Sequence, residues 1–358
     1  MKKKLTNLFK FIIFLGVGVG ILYLVYQNQN AAYQEDCQLK GVDIADCQLI
    51  HKVIDDFTKV HYFWVGMILV AFLISNVSRA IRWKMLLKPM GYQPRFVNAF
   101  FSIILAYFAN LGLPRIGEVV RAGSLAKYEK IPVEKVMGTI VTDRIIDVIS
   151  ILIVTFLALF FAKDVIWTFF RENAHIGEKV DSMKVLMFYL VGTFLAIVLL
   201  FVSFKKQIVK TKIYKKITHI IIGFAEGIKS ILKLDKPWLF ILHSINIWTM
   251  YFLMTYFGFL TFGPTAGLPM VAALVVFVFG SWGIVIPSPG GMGTYHFLVG
   301  LALGIYGINQ ADGFSWANIV FFSIQLGCNI SIGILALLAL PVINSNYAPA
   351  NNLKNELN

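Results

Sequence analysis

Between Pro237 and Ala311 the chain contains no Asp, Glu, Lys or Arg, and few folds tolerate that. A soluble domain needs charged side chains to face water over any stretch this long, whereas a lipid bilayer removes the need. The remainder agrees: of 358 residues, 58% are hydrophobic and 14% charged, and the mean hydropathy is +0.73. The net charge of +13 would suggest nucleic acid in a soluble protein. Here the basic residues sit in short blocks beside apolar runs, as in loops facing anionic lipid, and no basic stretch forms a module of its own, so nucleic acid is not an expected partner.

Loop charge orients the spans. Phe11–Tyr26 follows Lys2, Lys3, Lys4 and Lys10, with no small-residue cleavage site after it, which favours an uncleaved first helix over a signal peptide. Residues 28–60 carry six acids against three Lys and are expected outside; Lys163–Lys184 is balanced, four against four; Lys205–Lys236 holds nine Lys and two acids, an inside signal. Helices at 11–27, 61–87, 136–162 and 185–204 satisfy all three loops if Phe96–Pro114 does not cross. Crossing would put Arg115, Arg121, Lys127, Lys130 and Lys135 outside, so 96–130 reads as a hairpin re-entering from the cytoplasm. Helix 237–262 then runs outward, a second hairpin at 266–308 enters from outside, and helix 314–341 returns. An alternative in which 270–286 and 290–308 both cross leaves the C-terminus on the same side.

The fold class that follows is an all-α polytopic membrane protein of about six to eight transmembrane helices, with two broken or re-entrant hairpins arranged as inverted repeats. Residues 1–342 form one transmembrane domain, 28–60 its outer loop, 205–236 a basic cytoplasmic segment, and 343–358 a short polar tail. In 205–236, Ile alternates with Lys at helical spacing, which suits an amphipathic helix on the inner leaflet or a solvated helix. The expected location is the bacterial cytoplasmic membrane with both termini cytoplasmic. Cys37 and Cys47 share the outer loop and either form a disulfide or remain as two thiols, while Cys328 reads as a packing residue. No Cys/His spacing suggests a metal, and no cofactor is expected.

Two segments put turn chemistry where a membrane helix should run: Asn110–Arg121, holding Pro114, and Ile286–His296, holding Pro289. Proline fits the first position of a helix, so each reads as the start of a second half-helix after a break; an ordinary loop is the plainer reading, stronger at Pro114. Broken backbone at membrane depth is tolerated where it is buried or lines a cavity. A helix start there offers free N–H groups to an anion, and Gly290, Gly291 and Gly293 would let a ligand approach the backbone.

Ionisable side chains cluster in the first half. Arg79 and Arg82 share a helix face; Arg115, Glu118 and Arg121 recur every three residues; Asp143, Arg144 and Asp147 open the next span. Each such group costs about 2.5–3.5 kcal/mol at membrane depth, so such groups pair or line a path. One Asp pairs with a neighbouring Arg, leaving a guanidinium for a phosphate. Arg82, Lys84 and Lys88 read as snorkelling interfacial residues.

Arg79…Arg82-Trp83, Asn110…Pro114-Arg115-x-Gly117-Glu118…Arg121, Asp143-Arg144…Asp147 and Pro287-Ser-Pro-Gly-Gly-x-Gly293, in this order, resemble the flippase-like family, also called the lysylphosphatidylglycerol synthase transmembrane-region family. The resemblance implies a domain that moves a modified phospholipid between leaflets. The aminoacyl-transferase domain of other members is not in this chain, so no enzymatic activity is expected. His296 stands where members often carry an acid, which weakens a cationic-headgroup preference; a packed neutral histidine is the plainer reading.

The leading reading is a transporter of a phospholipid or modified lipid, held by Arg79, Asn110, Arg115, Glu118, Arg121, Asp143, Arg144 and Asp147 against Pro289, Gly290, Gly291, Gly293 and His296. A small-anion transporter and a non-catalytic partner of a lipid-biosynthetic enzyme are the alternatives, and an intramembrane enzyme using Asp143 or Asp147 ranks lowest. Expected partners are membrane lipids, a second copy of the chain, or such a biosynthetic enzyme.

Overall fold

The computed structural model describes residues 47–113, 115–165, 234–286 and 288–349, together with parts of 19–38. The span expected at 185–204 lies outside the described residues, as do nearly all of 205–236 and much of 11–27. Among the described residues, four helices are long and apolar enough to cross a bilayer by length and composition: Tyr62–Met90, Val133–Phe161, Pro237–Thr261 and Gln310–Ile343. Cys37 and Cys47 are joined in a disulfide.

The helices fall into two sets of the same order. After a short surface helix α1 (Leu49–Thr58), the first set is α2 (Tyr62–Leu87), a hairpin of α3 (Phe96–Gly112) and α4 (Ile116–Glu129), and α5 (Val133–Phe161). The second is α6 (Pro237–Thr261), a hairpin of α7 (Met270–Val285) and α8 (Thr294–Ile305), and then α9 (Gln310–Phe322), a π-helical segment Ser323–Ile330 and α10 (Ser331–Ile343) as one long rod. At 1.5 Å per residue, the 17 residues of α3 and the 16 of α7 reach only about 25 Å, short of a ~30 Å hydrocarbon core. The two arms of each hairpin pack against each other.

The second set runs opposite to the first. At one end of the α2–α6 pair, the His61 N–H at the start of α2 donates to the Thr261 carbonyl at the end of α6, 3.0 Å. At the other, Lys88 after α2 pairs with Asp235 before α6, 2.7 Å. The two opening helices are therefore antiparallel, the relation expected of inverted repeats. Each hairpin packs on the closing helix of the other set. Asn98 of α3 exchanges amide bonds of 2.9 and 2.7 Å with Asn344 after α10; Trp282 of α7 donates to the Thr155 hydroxyl of α5, 3.2 Å.

Each end carries its own polar tie. At the disulfide end, Lys52 of α1 bonds Asp56 and Asp312, both 2.6 Å. Burial there opposes the ammonium, but the hydrogen bonds and charges of those two carboxylates outweigh it and raise the Lys52 pKa. At the opposite end, buried Glu129 accepts from the Arg95 and Asn98 nitrogens and from the Tyr347 hydroxyl. Burial and the Glu129 carboxylate push Tyr347 up to about 12, so it stays a phenol that can donate.

Glycine lets the arms of each hairpin touch. A Cβ on Gly117 would lie 2.2 Å from the Ala106 carbonyl of the facing arm, and one on Gly283 would lie 2.8 Å from Tyr295 Cα. Both neighbours are backbone and cannot rotate away. Gly117→Ala and Gly283→Ala should each lower the thermal unfolding midpoint in detergent, by an amount matching the ~1–3 kcal/mol cost of overpacking. Gly300→Ala, where nothing lies within 4 Å, should leave the midpoint unchanged or higher; equal midpoints in all three variants would contradict the packing account.

Candidate functional site

The ionisable residues of the first set converge. Asp143, on a face of α5 with no exposed surface, accepts from Arg79 at 3.2 Å, Arg82 at 2.6 Å and Arg121 at 3.0 Å. Asp147, one turn on, accepts from Arg79 and Arg82, both at 2.7 Å, and from Arg144 at 3.2 Å. Arg144 turns back to Glu118 of α4, 2.6 Å. Helical spacing creates this geometry: Arg79 and Arg82 lie three apart on α2, and Asp143 and Asp147 four apart on α5, so two two-residue faces meet.

The second set completes the shell. Tyr251 and Ser244 of α6 accept from Arg79 at 3.2 Å and Arg82 at 3.1 Å, and the Tyr107 hydroxyl of α3 lies 3.3 Å from that of Tyr251. Arg121 stacks over Trp83, 4.0 Å from the ring centroid. Removing Asp143 would leave buried guanidiniums without their shared acceptor, which costs far more than the intact network contributes.

Charge does not balance here. Among the described residues, four guanidiniums (Arg79, Arg82, Arg121, Arg144) face three carboxylates (Asp143, Asp147, Glu118), an excess of one positive charge. Donors also remain over: the Nε of Arg79, Arg82, Arg121 and Arg144 and the Nη2 of Arg121 are buried without a partner, and so is one acceptor, Glu118 Oε2. The cluster opens at Arg144, whose side chain is 40% exposed, and Glu118, at 24%. Around that opening Val119, Ile145 and Val148 stand exposed.

The two hairpin tips meet each other. Arg115, the residue before α4, sits in the left-handed region at φ 64°, unusual for a side chain with a Cβ. Its guanidinium donates to the Val285 carbonyl at the end of α7, 3.4 Å. Asn110 Oδ1 accepts the Gly117 N–H at 2.8 Å and closes the first tip. In the second tip, Gly290, Gly291 and Gly293 all have positive φ. Thr294 Oγ1 donates to the Gly283 carbonyl at 2.7 Å, and Gln325 Nε2 to the Gly290 carbonyl at 2.8 Å. These bonds satisfy broken backbone where water is scarce. Gln325 comes from the π-helical segment, and its Oε1 accepts from Asn329 at 2.7 Å.

Several expectations need correction. Arg82 was expected at the interface but is fully buried in the cluster, because Asp143 and Asp147 give it two carboxylates. No guanidinium of the cluster is left wholly free; all four are paired, and only individual N–H groups remain. The second half-helix begins at Thr294, not at Pro289, since three glycines with positive φ unwind the intervening turns. Pro289 opens a 3-10 turn, Pro289–Gly291. Arg115 lies at the tip contact, outside the ion-pair cluster. His296 is buried at 2% exposure among Tyr295, Phe314 and Phe321, its Nδ1 accepting the Gly293 N–H at 3.4 Å. Tyr107, Ser244, Tyr251 and Gln325 were not foreseen; the signal available was a polar side chain inside an apolar run.

Comparison with known proteins decides the lineage. The sequence matches the family described as "Lysylphosphatidylglycerol synthase TM region" over residues 13–331. The chain belongs to that family. It is also 27% identical over 165 residues to the UPF0104 membrane protein MJ1595 of Methanocaldococcus jannaschii, a match that covers 45% of this chain and 46% of that relative. No solved structure matches. The matched region takes in both hairpins and the whole ion cluster.

Asp143→Asn should destabilise the fold by about 3–5 kcal/mol, the cost of breaking a buried ion pair from one side, read by thermal or denaturant unfolding in detergent. An exposed-pair variant, Asp55→Asn, should fall within about 0.5 kcal/mol of wild type. Similar losses from both would contradict the assignment of Asp143 as the centre of the network.

Proposed function

We propose that the chain is a non-catalytic lipid transporter that moves an anionic or modified phospholipid between leaflets. One observation carries this reading: the buried cluster has one positive charge in excess and opens at Arg144 and Glu118 beside exposed apolar side chains. A phosphate suits the spare N–H groups of Arg121 and Arg144, which can grip it with charge-assisted hydrogen bonds. The apolar rim would leave the acyl chains in the bilayer while the headgroup enters. Membership of a family named for a lipid synthase's membrane region agrees with a lipid-related role.

The antiparallel sets supply a route for motion. In inverted-repeat transporters the two halves rock around a site near the midplane, and the polar ties at the two ends offer two places to part. Arrangement of the chain with the disulfide end outward and the Lys88–Asp235 end inward would satisfy the loop charges and place Cys37–Cys47 in an oxidising compartment.

Arg144→Gln should slow transfer of fluorescent phosphatidylglycerol in proteoliposomes by tenfold or more, the factor lost with about 1.4 kcal/mol of headgroup contact. Glu118→Gln, which removes the carboxylate that competes with the headgroup for Arg144, should leave the rate at or above that of wild type. Both variants should remain monodisperse on size exclusion. Wild-type rates from Arg144→Gln would sink the proposal.

A further inference from the structure

Beyond the headgroup cluster lies a narrow groove between α5 and the second hairpin, of about 230 Å³, walled by Thr155, Ala158 and Leu159 on one side and by Val278, Trp282 and Leu298 on the other. It is apolar apart from the Trp282–Thr155 hydrogen bond that crosses it. A groove of this volume and apolar lining admits a single hydrocarbon chain.

Both walls lead back to the charged opening. On α5, Arg144, Val148, Leu152, Thr155 and Leu159 follow the i, i+4, i+8, i+11, i+15 pattern of one helix face. Val148, Leu152 and Leu159 along it are exposed. From Arg144 to Thr155 the rise is ~17 Å, close to the ~15 Å depth of one leaflet of a 30 Å core. On the opposite wall, Trp282 stands one turn before Val285, whose carbonyl accepts from Arg115, and Arg115 lies three residues before Glu118, the partner of Arg144. A molecule with its charged end at Arg144 would therefore reach the groove with its tail.

We infer that this groove is the acyl-chain subsite of the same lipid, so that the protein reads one hydrocarbon chain as well as the headgroup. The inference rests on the proposed transport reading and adds a length preference to it. A chain too short to span Arg144 to Thr155 would leave the groove empty and lose its contribution, while a bulky side chain in the groove would expel the chain without touching the charges.

The test uses the full-length protein in vesicles holding phosphatidylglycerol with a diazirine on the distal half of one chain. Irradiation and peptide mapping should place the label on residues 155–159 and 278–298. Leu159→Trp, at a side chain 53% exposed, and Leu298→Phe from the opposite wall should abolish that labelling. Both should keep wild-type transfer of a six-carbon-chain analogue. Label spread evenly over other lipid-facing residues such as Ile153, Phe156 and Phe160, and unchanged in both variants, would overturn the subsite while leaving headgroup transfer intact. Absence of wild-type transfer for either lipid, with labelling displaced by soluble glycerol phosphate, would overturn the transport reading as well.

Discussion

Asp143 is the constraint on which the rest of this structure depends. A carboxylate with no exposed surface, on a helix apolar enough to cross a bilayer, is untenable alone, and three guanidiniums from two other helices answer it. That requirement brings α2, α4 and α5 together at one point and fixes their rotation, since a helix turned by one residue would point its charge into apolar surroundings. Hydrophobic burial cannot supply such register in lipid, where the solvent is as apolar as the core; polar contacts and close packing must do it.

The hairpins illustrate the second source of order. Gly117 against the Ala106 carbonyl and Gly283 against Tyr295 bring backbones into contact, and backbone contact is how short arms hold together where lipid competes for every apolar face. The unwound tips then need partners for their free carbonyls. Thr294 and Gln325 provide them, which explains polar residues in a stretch otherwise barren of charge. The π-helical segment shifts the register of the last rod so that Gln325 faces the tip and Asn329 supports it.

Much of this was legible in sequence, for reasons that differ by element. Charge-free runs mark spans because hydropathy in lipid is nearly one-dimensional, so α2, α5, α6 and the final rod could be read within a few residues. Loop charge suggested a hairpin at 96–130, and α3 and α4 do pack against each other there. The ion cluster was visible in part: Asp147 stood out by its apolar neighbours, Asp143 by lying one turn before it, and Arg79 by its spacing from Arg82. Arg82 misled because Lys84 and Lys88 follow it, and a basic run at a helix end looks interfacial until the carboxylates across from it are located. Tyr251 and Ser244 were hidden for a different reason; pairing across two repeats depends on the antiparallel meeting of α2 and α6, which no local pattern encodes. The late start of α8 was obscured by Pro289, a good helix starter overridden by three glycines.

The proposed lipid transport rests on charge: among the described residues a buried cluster with one positive charge in excess opens towards exposed apolar side chains, which suits an anionic lipid. Native mass spectrometry of the protein purified from its membrane measures this directly, by identifying the lipid that survives release from detergent. The account predicts enrichment of a phosphate-bearing anionic or modified lipid over its abundance in the bulk membrane. Retained lipids in the proportions of the bulk membrane, with no anionic species enriched, would contradict it.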